Sequence, residues 1–221
     1  MKSKFFKMSV MVMFAISTLF AIPQVSYAQL SKKQEKQLQK AKEKEYKNKL
    51  KEYQKEGWKL AGSSRSIEVA LLEHYARLAE KGNKEIPGEV EQCKSVNVCR
   101  QYALTNAQNY YANLVGGKVE GIVTSMLKGN AENPEEEIDK FSGAFKKQVA
   151  MDVSGALTES YSIVKNNGDS RQYKIFFILN EEEGRAACER ALKKSLKETK
   201  LVLNEMDEIS RFINENVTIE D

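Results

Sequence analysis

The sequence predicts an α+β fold: a small antiparallel three-stranded sheet packed against several helices, with long charged helices at both ends. Two β-rich alternating runs flank Asn166-Asn167-Gly168-Asp169, a turn signal in which Asn and Gly accept positive φ angles. Between these runs and the termini, apolar residues recur at helical spacing. A hydrophobic fraction of 41% over 221 residues supports one ordinary domain with extensions.

The first segment reads as an export leader. Lys2, Lys4 and Lys7 precede an apolar stretch from Val10 to Ile22, too short for a comfortable membrane span, and Pro23 ends it. Ser26-Tyr27-Ala28 offers small residues for a signal peptidase, so cleavage is expected after Ala28, leaving Gln29 at the terminus. Removing those three lysines lowers the formal net charge from +4 to +1. The isoelectric point near 8.7 is therefore no argument for nucleic-acid binding.

Residues 29–56 form a charged lead helix. Ser31 to Glu56 holds ten lysines and five glutamates, with Glu/Lys pairs at i,i+4 and an adhesive strip only near its end, at Tyr46, Leu50 and Tyr53. A solvated helix is the plain reading, and a basic arm touching an anionic membrane surface is the functional one. Deleting 29–56 is expected to leave the rest folded.

A core domain over 57–190 follows. Trp58 and Leu60 alternate in a short first strand, 57–62. Ser63 or Ser64 caps a helix to about Lys81, with Ile67, Leu71, His74 and Leu78 inward. Lys84 to Ser95, with Pro87-Gly88, reads as a loop. A long helix from Val96 to Leu127 contains Gly116-Gly117, which marks a kink or a close approach. Asn133-Pro134-Glu135-Glu136 starts the next helix. Strands at 157–165 and 171–180 close the sheet, whose helices are expected on one face.

Asn180 begins a long final helix that leaves the domain as an extension over 191–221. Leu192, Leu196, Leu203 and Met206 lie on a coiled-coil-like seam. With Leu50 and Tyr53 they are the candidate surface for a partner or for self-association.

The census of reactive groups is sparse. His74 is the sole histidine and sits on an apolar stripe, as a satisfied core histidine does. Cys93-x5-Cys99 lacks zinc-knuckle spacing, and no phosphate loop, dinucleotide fingerprint or nucleophile elbow occurs. No catalytic, cofactor or metal residues are assigned. Export permits disulfides, and Cys93–Cys99 is the favoured pair, contributing about 2 kcal/mol by loop closure. Other pairings and three reduced thiols stay open. Cys188 is then a free buried thiol.

One region resembles a known family. The run Cys99 to Val119 is an Ala-rich helix with A-x3-A-x6-L spacing at Ala103, Ala107 and Leu114. A capped insertion, a strand from Gly155 to Val164 and a hairpin to Tyr173-Leu179 follow it. That order is similar to the Lpp-twenty type of bacterial envelope lipoproteins and to the amino-terminal domain of the flagellar assembly protein T. The resemblance covers about residues 57–190. This chain departs from it by lacking a lipobox cysteine and by carrying an additional helix at 64–81. The resemblance implies an envelope-associated, non-catalytic, assembling protein and carries over no catalytic residues.

The expectation is thus an exported structural or interaction protein of the bacterial envelope, in the periplasm, at the outer-membrane periphery or secreted. A periplasmic binding protein for a small apolar ligand and an enzyme with an unfamiliar site are the alternatives.

Overall fold

The computed structural model describes residues 32–127, 134–199 and 206–216. In chain order the elements are α1 (Lys32–Glu56), β1 (Lys59–Leu60), α2 (Ile67–Leu78), β2 (Asn83–Cys93) and α3 (Val96–Leu127). They continue with α4 (Pro134–Val153), β3 (Thr158–Asn167), β4 (Ser170–Asn180), α5 (Glu181–Thr199) and α6 (Met206–Asn216). The described residues divide into two units between Glu43 and Lys44. In the first, residues 36–43 of α1 are exposed, Leu38 among them. The leader, Ala28 and Gln29 lie outside the described residues.

The second unit is α+β, but its antiparallel sheet has four strands rather than three, in the order β1-β3-β4-β2. The added strand is β2, which the Pro87-Gly88 pair disguises as a loop. Proline donates no ladder hydrogen bond and is tolerated because β2 lies at the sheet edge. Its neighbour Gly88 has a packing reason. A Cβ there would fall 2.9 Å from the carbonyl carbon of Ala103 and 3.0 Å from Ala107 Cβ. The alanines at i and i+4 of α3 and the glycine of β2 are thus one feature, a backbone-to-backbone approach of helix and strand.

β1 is shorter than expected. It pairs with β3 only at Lys59↔Val164 and Leu60↔Ile163, and the Ala61 N–H donates to the Ser162 carbonyl. The hairpin between β3 and β4 turns as predicted, with Gly168 at φ 61°. The second half of β4 is apolar on both faces because both faces are covered, where helices on only one were expected. Tyr173, Ile175, Phe177 and Leu179 join a main core with α3, α4, α5 and α6. Phe176 joins Tyr161 and Ile163 of β3 in a second core with Tyr53, Trp58, Ala70 and Leu71.

Local capping explains the helix starts. Ser66 caps α2, its hydroxyl accepting the Val69 N–H at 3.2 Å; the cap sits two or three residues after the expected serine. Asn180 caps α5 by accepting the Glu182 N–H at 3.0 Å, and glutamates fill the first turns of α4 and α5, where they favour the helix dipole. α3 runs unbroken through Gly116-Gly117. Gly116 is where α4 comes close, since a Cβ there would meet the Lys146 side chain.

The C-terminal region differs most. In place of one helix leaving the domain there are α5 and α6, and both return to the main core. Leu192, Ile209 and Ile213 are fully buried and Leu196 is 7% exposed.

Candidate functional site

The second core is where polar chemistry concentrates. Its floor is the sheet face formed by Tyr161, Ile163 and Phe176, and its roof is α2 with the last turns of α1. Strand alternation sends Tyr161 and Ile163 toward α2 and Ser162 and Val164 away. Strict alternation would send Ser160 away too. The β3–β4 register shifts between Glu159 and Tyr161, and this bulge turns Ser160 toward α2. Its hydroxyl lies 3.0 Å from His74 Nδ1.

His74 is 1% exposed. Its Nε2 stands 2.6 Å from Glu85 Oε2 on β2. A carboxylate only accepts, so Nε2 carries the hydrogen; in neutral imidazole Nδ1 is then the acceptor, and the Ser160 hydroxyl donates to it. Tyr161, Tyr75 and Phe176 surround the ring with edge contacts at centroid distances of 5.0, 5.8 and 6.2 Å. Two strands and one helix thus supply one hydrogen-bonded row, Ser160–His74–Glu85, with its middle member buried.

Beside the row, the Tyr53 and Tyr161 hydroxyls meet at 3.2 Å. Burial pushes both phenols well above their ordinary range. Burial likewise raises Tyr75 to about 12, with Glu45 adding to it. Trp58 closes the far end. Its indole N–H donates to Glu56 at 3.0 Å, and Lys165 and Lys174 stand 4.8 and 5.6 Å from its ring. The Trp58 and Lys165 hydrogen bonds hold the Glu56 carboxyl below its usual range.

A cleft of 420 Å³ opens where β1 stops. Ser160 borders it, with Leu60 to Ser63 and Arg65 on the opposite rim. The two rim charges are engaged: Arg65 pairs with Glu73, and Glu159 accepts from Arg100 at 2.5 Å. A second cleft, of 340 Å³, lies between Arg77, Asn83, Thr158 and Glu183.

The surface residues expected from sequence are placed differently. Tyr53 is 1% exposed in the second core, and Leu50 packs against it. Leu192 and Leu196 belong to the main core. These four are therefore not free surface in this chain. Each pair is covered in its own core, Leu192 and Leu196 because α5 packs on the main core and Leu50 and Tyr53 because α1 ends against the sheet. Leu203 and the side chain of Met206 lie outside the described residues. Cys93 and Cys99 stand at disulfide distance, Cα to Cα 5.4 Å, at the junction of β2 and α3. Cys188 is free and buried, 3.6 Å from the Tyr111 hydroxyl, and burial pushes its thiol up to about 11.

Sequence reasoning found His74 but neither of its partners. Glu85 was hidden in the misread β2, and Ser160 only faces His74 through the bulge. Among the described residues no group of three His, Cys, Asp or Glu side chains is placed to hold a metal ion. No described helix is long and apolar enough to cross a membrane. No family model matches the chain, and neither a curated protein nor a solved structure matches it.

Proposed function

We propose that this is an exported protein of the bacterial envelope that works by contact with an envelope partner or a second copy. The observation that supports export most directly is the pairing of Cys93 with Cys99, buried at a strand–helix junction, which suits an oxidising compartment. It agrees with the leader pattern ending at Ala28. The contact surface is no longer the leucine seam, whose described members are core. Among the described residues, the exposed surface available for contact includes the basic opening of α1 and apolar side chains such as Leu72 on α2, Val98 and Tyr102 on α3 and Met151 on α4. The basic helix also suits an anionic membrane surface.

The test is cell fractionation combined with site-specific photocross-linking from positions 38 and 102. The reading expects a processed protein beginning at Gln29 in the envelope or medium, with discrete adducts from at least one position. A cytoplasmic protein retaining Met1, or an exported protein giving no adduct from either position, overturns it. Catalysis forms no part of this reading, and no specific observation favours the apolar-ligand alternative.

A further inference from the structure

We propose that Ser160, His74 and Glu85 form an acyl-transfer relay whose nucleophile, the Ser160 hydroxyl, attacks a small uncharged ester held in the cleft between β3 and residues 60–65. Three independent features of the structure converge on this. The first is connectivity: Ser160 Oγ to His74 Nδ1 at 3.0 Å and His74 Nε2 to Glu85 Oε2 at 2.6 Å are the nucleophile–base and base–acid contacts that activate a serine. The second is the bulge, which departs from strand alternation at the β3 residue that hydrogen-bonds His74. The third is access. Ser160 borders a 420 Å³ cleft while His74 is 1% exposed. The cleft admits a substrate, and later a single water, at Ser160, and His74 behind it is reached only past that hydroxyl.

The roles follow from the hydrogens. Glu85 accepts from Nε2–H, which leaves Nδ1 as the base. Glu85 is a positioning residue: it selects the tautomer and stabilises the imidazolium that forms. In the first half-reaction the Ser160 oxygen bonds to the ester carbonyl carbon and its proton passes to Nδ1. The carbon–oxygen bond to the alcohol then breaks, and the departing alkoxide takes that proton. In the second half, water gives a proton to Nδ1 and attacks the acyl-serine. The carboxylic acid leaves and the proton returns to Ser160 Oγ. The sum is ester plus water to acid plus alcohol, with no further reactant.

Cleft chemistry sets the substrate class. Both rim charges are spent on partners, Arg65 on Glu73 and Glu159 on Arg100. Ser63, Ser160 and Ser162 line the cleft beside the small Ala61 and Gly62, so its wall is largely polar but carries no unpaired charge. A small, uncharged, polar ester fits that wall better than a phosphate or a dicarboxylate does.

The experiment treats the whole mature protein with a fluorophosphonate probe, which replaces its fluoride by a serine oxygen, and with p-nitrophenyl acetate. Peptide mass spectrometry should place the phosphonyl group on Ser160 in native protein and not in heat-unfolded protein. Ser160→Ala should abolish both labelling and turnover while melting as the wild type. His74→Gln should slow labelling by about 10²–10⁴-fold. Because His74 also holds α2 to the sheet, that variant counts only if it melts cooperatively. Glu85→Gln, altering a carboxylate that is 37% exposed, serves where it does not. It should lower kcat with KM little changed and shift the pH profile of kcat. Native Ser160 left unlabelled, labelling unchanged in Ser160→Ala, or a folded Glu85→Gln protein labelled and turning over at the wild-type rate would each overturn the relay.

Discussion

Replacing Gly88 by alanine adds one methyl group and should unfold a large fraction of this protein's stability margin. The new Cβ would lie 2.9 Å from the Ala103 carbonyl carbon and 3.0 Å from Ala107 Cβ, where ordinary contacts fall at 3.4–4 Å. The first obstacle is main chain, so no side chain can rotate aside. α3 would have to move off β2, and α3 also packs on β4, α4 and α6 in the main core. Overpacking of a tight core costs about 1–3 kcal/mol, and with backbone as the obstacle the upper end, about 3 kcal/mol, applies. For a chain of this size that is a fall of about 6–12 °C in Tm. Gly117→Ala is the matched control. It lies mid-helix in α3, its added Cβ meets nothing within 4 Å, and it should gain about 0.5–1 kcal/mol through helix propensity. Differential scanning calorimetry of both variants decides the matter. A Gly88→Ala protein melting within 2 °C of wild type would mean that α3 does not cross β2 at this point.

Three further outcomes are expected. Removing residues 29–43 should leave the melting temperature unchanged, since 36–43 are exposed, whereas removal through residue 56 should lower it sharply by taking Tyr53 out of the second core; equal melts for both truncations would refute this. Leu192→Ala should cost about 2–5 kcal/mol in urea titration and leave the oligomeric state by light scattering as in wild type, because the residue is fully buried within the chain. Alkali should destabilise the fold early. Cys188 has a folded-state value of about 11 against an ordinary 9.0, so its contribution is whole below pH 9 and is lost as pH rises from 9 through 11. Tyr75 adds the same effect from 10 through about 12. Cys188→Ala should flatten the Tm-against-pH curve in the lower part of that window, and an unchanged curve would refute the assignment.

Local signals were legible wherever a single element carries its own pattern. Asn166 to Asp169 specified a hairpin because its φ requirements are met by Asn and Gly whatever surrounds them. The bounds of α3 and the Pro134 start of α4 followed from periodicity and capping, and the Cys93–Cys99 pairing from proximity along the chain. β2 was not legible, because Pro87 and Gly88 are loop signals locally and are allowed only by an edge position and an approaching helix. The described members of the leucine seam, Leu192 and Leu196, are apolar as their spacing indicates, but they lie in the core rather than on the surface. Periodicity identifies which side of a helix is buried, but it is silent on what buries it.

The candidate row marks the same division. By itself the sequence determined that His74 sits on an inward face, that an α+β domain would form, and that the opening of the lead helix would be charged. Only tertiary structure decided that Glu85, eleven residues on, and Ser160, eighty-six residues on, would meet its two ring nitrogens. Contacts between separate elements depend on strand order, on a one-residue bulge and on how closely α2 settles on the sheet. None of these is a property of any one segment, so no local pattern records them.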